Sequence, residues 1–240
     1  HLFDHLHTVN THRRLVRHYC WKLGLVWQGL THDLSKYSPT EFWRSVKYYQ
    51  GYRSPNDAER IANGVSLSWL HHKGRNRHHF EYWIDYCLRE DGSVYIGGCK
   101  MPKKYVAEMF CDRIAACRVY QKEKYTDASP WEYYQRSKNL KHTDAGRYMH
   151  TDTAALLERW LLMLKEQGEE AAFVCFVGER GAAVRVPQWV FERAHAVADV
   201  VDALRELGRA FAIRTAQFGE FRVFLKVLGG GVPRGIESTT

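Results

Sequence analysis

Apolar residues recur every three or four positions through most of the first 168 residues, which is the spacing of one helix face. Ser38-Pro39 and Ser54-Pro55 mark two helix starts, because serine is a preferred N-cap and proline fits the first helical position. Residues 90–101 carry Asp91-Gly92 and Gly97-Gly98, so they predict a short hairpin or loop. The pattern predicts helices over residues 8–30 (one helix or two joined), 26–36, 40–49, 55–62, 66–72, 79–88, 102–124, from 130 onward, and 150–167.

The pattern changes after Gly168. Short β-like runs alternate with turns and flank one amphipathic segment, which predicts a ββαββ unit. Its strands are expected over residues 171–177, 182–186, 211–215 and 221–228, with the helix over 187–208. The fold class is therefore expected to be mainly α, with a helical bundle over 1–168 and a small α+β unit over 169–240. A glycine-rich tail from about residue 229 is expected to be flexible.

The C-terminal unit is marginal by size, because small domains bury a smaller fraction of their surface. We expect it either to dock on the helical unit or to pair with a second copy through an exposed strand edge, which would make a homo-oligomer.

Composition and charge narrow the class of protein. The chain has 240 residues, of which 45% are hydrophobic, so it can bury a core and is not globally disordered. Residues 169–240 hold as many acidic as basic side chains, so the whole net charge of +8 lies before them. This distribution favours an anionic ligand: a small phosphate-containing substrate, a nucleotide or nucleic acid. The alternative is that the charge serves solubility alone.

Neither a membrane span nor a secretory leader is indicated. The most apolar helical run, residues 155–164, carries Glu158 and Arg159 and is far shorter than the ~20 residues that a span needs. The first residues lack the basic and apolar regions of a signal peptide. The six cysteines form no C-x-x-C pair, as expected of reduced thiols. We therefore expect a cytoplasmic protein with no membrane partner.

Histidine carries the candidate chemistry, because ten of the 13 histidines fall within residues 1–79. His32 and Asp33 are adjacent at the end of an apolar helix, and imidazole with carboxylate suits Mn, Fe, Ni, Co or Zn. His12 lies on a helix that can pack beside this one. Asp112 stands mid-helix among apolar residues, where its carboxylate needs a metal or a cation such as Arg113 as partner.

The order of these residues resembles that of the HD-domain superfamily of metal-dependent phosphohydrolases. His32-Asp33-Leu34-Ser35-Lys36 is similar to that superfamily's His-Asp-Ile-Gly-Lys segment, and the doublets His71-His72 and His78-His79 are similar to the extra histidines of two-metal members. Residues 7–168 resemble, more closely, a bacterial and phage family of unassigned function. The doublets lie only seven residues apart and no Gly-Tyr-Pro follows them, unlike in the cyclic-dinucleotide phosphodiesterases.

The resemblance implies an HD-like bundle that holds one or two divalent transition-metal ions. It assigns metal ligands from four parts of the chain, with the choice within each histidine doublet left open: His12, His32, Asp33, His72, His79 and Asp112. Asp33 and Lys36 are expected to take part in catalysis. Substrate contacts are expected from Lys36, from the other histidine of each doublet and from the basic loop between them: His71, His78, Lys73, Arg75 and Arg77.

Three functions are compatible with these features. The first is hydrolysis of a nucleotide or related small phosphate ester by a metal-activated water. The second is a di-iron oxygenase on the same scaffold. The third is a binding module for nucleic acid or protein, without catalysis. Metal identity and the salt dependence of nucleic-acid binding would separate the three.

Overall fold

A computed structural model describes residues 1–139 and 148–178 of the chain. This part is mainly helical, which confirms the predicted fold class. Its α-helices are α1 (Leu2–Lys22), α2 (Val26–Thr31), α3 (Pro39–Tyr48), α4 (Pro55–Asn63), α5 (Leu67–Lys73), α6 (Lys103–Gln121), α7 (Ser129–Asn139) and α8 (Thr151–Gly178). Two strands, β1 (Ile84–Leu88) and β2 (Val94–Gly98), pair antiparallel.

The predicted helix starts are confirmed where local chemistry determines them. Pro39 is the first residue of α3, and Ser38 Oγ accepts a hydrogen bond from the Glu41 amide at 3.4 Å. Ser66 caps α5 in the same way, by accepting from the Trp69 amide at 3.1 Å. Such caps satisfy amides that have no partner within the helix. They fix where α3 and α5 begin.

The core lies where α1, α6 and α8 pack together. Val16 of α1, Phe110 of α6 and Trp160 of α8 are almost fully buried. Gly29 allows α2 to approach α1 closely, since a Cβ there would lie 2.9 Å from Trp21 Nε1. Helix α1 packs against α6 on one side and against α2 on another.

The helix predicted over residues 79–88 is wrong. A 3₁₀ helix, Phe80–Trp83, is followed directly by β1, whose register with β2 runs from Ile84 opposite Gly98 to Leu88 opposite Val94. The turn between the strands uses Gly92 at φ 79°, where a side chain would be strained. The hairpin predicted near residues 90–101 is confirmed, but its first strand begins earlier, because pairing with β2 overrides the local helical pattern.

The strand predicted over residues 171–177 is also wrong, because α8 continues to Gly178. Gly168, at φ 87° and ψ 175°, is non-helical, so the helix predicted over 150–167 ends there as expected, and a second helical segment of α8 follows after a kink. Beyond the bend, Ala172 and Phe173 are buried against the helical core. The remaining strands and helix of the predicted ββαββ unit, and the glycine-rich tail, lie outside the described residues.

Within residues 1–139 and 148–178, every helix is too short or too polar to cross a membrane.

Candidate metal centre

The turn after α2 carries two adjacent candidate ligands, His32 and Asp33. Asp33 has a left-handed backbone, with φ 53° and ψ 25°, a conformation that aspartate tolerates better than most residues. Arg13 of α1 stabilises this turn with two hydrogen bonds. Its Nε donates to the His32 carbonyl at 2.8 Å, and its Nη2 donates to the Leu30 carbonyl at 3.2 Å. The buried Arg13 thus fixes the direction of His32 and Asp33.

Four side chains from two helices, α1 and α6, and from this turn converge into a first ligand group, made of His12, His32, Asp33 and Asp112. One ligand atom from each lies within 4.8 Å of the others. His12 Nε2 lies 3.0 Å from Asp112 Oδ1 and 3.6 Å from Asp33 Oδ2. His32 Nε2 lies 3.4 Å from Asp33 Oδ2 and 3.6 Å from Asp112 Oδ1. Two imidazoles and two carboxylates therefore face one small volume.

A second ligand group, made of Asp33, His72, His78 and His79, lies on the other side of Asp33. His72 Nε2 lies 3.3 Å from Asp33 Oδ1, and His78 Nε2 lies 3.4 Å from the same oxygen. His79 Nε2 lies 2.9 Å from His72 Nε2. Asp33 therefore turns one carboxylate oxygen to each group. The geometry offers two adjacent positions for cations, with Asp33 between them.

Two carboxylates outside these groups orient the histidines. Glu108 Oε1 lies 3.0 Å from His32 Nδ1 and 3.1 Å from His78 Nδ1. Glu41 Oε2 lies 2.8 Å from His72 Nδ1. A carboxylate on Nδ1 favours the ring form that has its proton there and its lone pair on Nε2, as is usual for metal-bound histidine. All three Nε2 atoms face Asp33.

A third set, formed by His32, His78 and Glu108, is also close enough to hold an ion. It would use the Nδ1 lone pairs of both rings. A neutral imidazole has only one lone pair in its ring plane, so this arrangement excludes binding through Nε2. The hydrogen bonds to Glu108 favour the first and second ligand groups over the third set.

The charges of the cluster favour bound cations. Burial opposes ionisation of Asp33, yet His32 and Lys36 hold the pKa of its carboxyl well below the usual range. Burial likewise opposes protonation of His32, but Asp33 raises the pKa of this imidazole well above its usual value. Hydrogen bonds from His12 and His32 outweigh burial at Asp112 and lower its pKa strongly. The carboxylates thus draw positive charge inward, as protons on histidine or as metal ions.

Two buried atoms at the centre make no hydrogen bond to any described residue: Asp33 Oδ1 and His78 Nε2. Buried polar atoms are satisfied in the great majority of native structures, so an unsatisfied pair requires an explanation. Both atoms belong to the second ligand group and carry lone pairs suited to a transition metal. The residues present therefore fit a divalent ion.

The residues predicted to contact substrate lie partly inside this cluster and partly outside it. Lys36 lies in the cluster, with Nζ 2.6 Å from Asp33 Oδ2, and its side chain is 28% exposed. His71 Nδ1 hydrogen-bonds to Glu41, and His78 belongs to the second ligand group. Lys73 is half-buried at the end of α5. Lys36 is the predicted substrate residue that the structure brings closest to Asp33.

The two arginines of the basic loop are exposed and bond to groups outside the cluster. Arg75 donates to the His71 carbonyl at 3.3 Å, and Arg77 donates to Tyr105 Oη at 3.2 Å. The loop therefore presents its charge to solvent beside the second ligand group.

Sequence reasoning missed two residues of this centre. Glu108 stands four residues before Asp112 on α6, a spacing that puts both on one helix face and that could have identified it. Glu41 occupies the position of a capping-box glutamate, so its sequence context indicated a helix start rather than a contact to histidine.

Comparison with known families shows that the profile of a family of unknown function (DUF5662) matches residues 1–163. The chain therefore belongs to this family. The matched residues include every member of both ligand groups, as well as Glu41 and Glu108. Comparisons with curated proteins and with solved structures gave no match.

Proposed function

We propose that this chain, as a member of the DUF5662 family, is an HD-type metal-dependent phosphohydrolase acting on a nucleotide or a related small phosphate ester. One observation carries the proposal: Asp33 directs one oxygen to each of two buried groups of histidine and carboxylate ligands. The sharing of one carboxylate suits a pair of divalent ions held close together, an arrangement common in enzymes that transfer phosphoryl groups.

His12, His32, Asp33 and Asp112 would hold one ion, and Asp33, His72, His78 and His79 the other. When bound, such ions lower the pKa of a water molecule and offset negative charge on a phosphoryl oxygen. The imidazole-rich second group suits Mn, Fe, Co, Ni or Zn better than Mg.

The protein's own residues supply binding and orientation. The ammonium group of Lys36 stays charged, because Asp33 and Asp112 outweigh burial and raise its pKa. It is partly exposed beside Asp33, so it can donate hydrogen bonds to a phosphoryl oxygen. In the reaction, a water oxygen forms a new bond to phosphorus and gives up a proton, the ester P–O bond breaks, and the leaving oxygen takes up a proton. The positive charge of the N-terminal part attracts such an anionic substrate.

A di-iron oxygenase is the second candidate, since the three imidazoles of the second ligand group also suit iron. Oxygen consumption by the iron-loaded protein would favour it. Salt-sensitive nucleic-acid binding without turnover would favour a binding module. The cytoplasmic location and the homo-oligomer remain predictions from the sequence.

The test is a metal-reconstitution assay on the full chain. The protein is stripped with a chelator, reloaded with Mn²⁺, Co²⁺, Ni²⁺, Fe²⁺ or Zn²⁺, and assayed for phosphate release from p-nitrophenyl phosphate and from nucleoside phosphates. We expect hydrolysis that requires the metal and is lost again on chelation. Absence of turnover with every metal and every ester would contradict the proposal.

A matched pair of variants locates the activity. Asp33→Ala should lose both metal and turnover while keeping its helical circular dichroism, and Asp33→Asn repeats the test with the side-chain shape preserved. Asp57→Ala is the control, because Asp57 is about half exposed on α4 and pairs with Arg53 and Arg60. Full metal content and turnover in the Asp33 variants would make Asp33 a structural residue.

A further inference from the structure

Glu108 connects the two ligand groups. One of its oxygens, Oε1, accepts hydrogen bonds from Nδ1 of His32 at 3.0 Å and from Nδ1 of His78 at 3.1 Å. His32 belongs to the first ligand group and His78 to the second. The two rings also lie against each other, with their centroids 4.3 Å apart. The Glu108 carboxylate therefore orients one histidine ring of each group.

The contact determines which nitrogen of each ring can bind a metal. A neutral imidazole carries one proton, so a ring that donates from Nδ1 presents a lone pair at Nε2. Nε2 of His32 lies 3.4 Å from Asp33 Oδ2, and Nε2 of His78 lies 3.4 Å from Asp33 Oδ1. Each lone pair is thus directed to a different side of Asp33.

Glu108 is well suited to this task because it is buried and anionic. Its residue is only 5% exposed, and it is held by α6 one helical turn before Asp112. Burial opposes ionisation, but hydrogen bonds from His32 and His78 outweigh it and lower the pKa of the Glu108 carboxyl. Hydrogen bonds to an ionised acceptor are about twice as strong as neutral ones.

We propose that Glu108 is a positioning residue shared by both metal positions, so that its loss weakens binding at the two positions together. The inference rests on the metal-dependent function proposed above. Glu41 provides the contrast within the same site: it contacts His72 of the second ligand group and His71, which belongs to neither group. Loss of Glu41 should therefore weaken one position alone.

The experiment titrates the metal-free full chain with Co²⁺ and follows the visible absorption of the bound ion together with the heat of binding. The wild type is compared with Glu108→Gln, and with Glu41→Gln as the matched control. We expect two Co²⁺ per chain in the wild type. Removing an orienting partner of a metal-bound histidine typically costs about 10–100-fold in affinity. Glu108→Gln should show this loss at both positions, and Glu41→Gln at one.

A second measurement needs no variant. In the Zn²⁺-loaded wild type, long-range ¹H–¹⁵N NMR spectra should show His32 and His78 protonated at Nδ1. Protonation of either ring at Nε2 would overturn the proposal, as would a loss in Glu108→Gln that is confined to one position or absent. Binding of a third Co²⁺ that disappears in Glu108→Gln would instead make Glu108 a ligand. If Glu108→Gln fails to fold, the protonation of Nδ1 in His32 and His78 of the wild type tests the positioning role by itself.

These outcomes separate the inference from the proposed function. Two Co²⁺ that depend jointly on Glu108, in a chain that hydrolyses no phosphate ester, would support the positioning role and refute the hydrolase. Absence of Co²⁺ binding by the wild type would refute both.

Discussion

Lys36 Nζ lies 2.6 Å from Asp33 Oδ2, so the carboxylate shared by both ligand groups also pairs with an ammonium group. The charge of Lys36 has opposite consequences for metal binding and for substrate binding. The positive charge of Lys36 repels a cation at the first ligand group, but it attracts a phosphate that approaches from solvent. Removing the charge should therefore separate metal binding from substrate binding.

We predict that Lys36→Met keeps its metal, with equal or tighter affinity, while kcat/KM for phosphate esters falls about 10- to 100-fold. This range corresponds to the ~1.5–3 kcal/mol typical of a hydrogen bond to a charged group. Metal analysis and steady-state kinetics on the same preparation measure both quantities.

Lys22→Met is the control for this prediction. It removes an equal charge from a lysine that pairs with Glu169 at 2.7 Å and contacts neither ligand group. Turnover in Lys36→Met that matches the wild type would show that Lys36 serves only to neutralise Asp33.

His5 predicts a pH dependence of stability. It is buried against Phe42 and Tyr49, and neither ring nitrogen has a hydrogen-bond partner among the described residues. Burial, assisted by the charge of Lys36, lowers the pKa of His5 from 6.5 to about 4. Because the folded-state pKa is the lower one, His5 contributes stability above pH 6.5, and this contribution is lost as the pH falls toward 4.

His5→Phe should flatten this part of the stability profile. The shift corresponds to at most about 3 kcal/mol between pH 7 and pH 4, and an apolar ring removes the unpaired nitrogens as well. Urea unfolding of wild type and variant at a series of pH values gives the difference. Parallel profiles for the two proteins would show that His5 is not protonated on unfolding.

The segment after Gly168 is predicted to be part of the helical core. Phe173 is 6% exposed and packs against Tyr19 and Phe110, whereas its neighbour Val174 is 65% exposed. Phe173→Ala should destabilise the full chain by about 3–5 kcal/mol, and Val174→Ala by about 0.5 kcal/mol or less. Thermal or urea unfolding checks this. Equal effects of the two variants would show that residues 169–178 do not belong to the core.

The elements that the sequence predicted well are those determined by local chemistry. Ser38-Pro39 starts a helix because capping and the fixed φ of proline act within a few residues. Residues 79–88 lacked such a signal, and their conformation depends on the partner strand β2. Residues 171–177 form a helix because Ala172 and Phe173 pack on a distant core, a contact that local pattern does not reveal.

In the candidate site too, some residues could be grouped from the sequence, while others are brought together only by the fold. His12, His32, Asp33 and Asp112 could be grouped because their residue types and order match a known ligand pattern, and the structure brings them together. The position of His78 depends on Glu108, which follows it by thirty residues in the sequence. The sequence led us to expect one ligand from each histidine doublet, whereas the fold places His72 from the first doublet and both His78 and His79 from the second in the second ligand group.

The most direct test of the account is an anomalous-diffraction measurement at the zinc edge, on crystals of the full chain grown with Zn²⁺. We predict two peaks on opposite sides of Asp33, each about 2.0–2.2 Å from one of its carboxylate oxygens. Their separation should be about 3.5–4 Å. One peak should contact His12, His32 and Asp112, and the other His72, His78 and His79. Crystals with full zinc sites elsewhere and no anomalous density beside Asp33 would contradict the account.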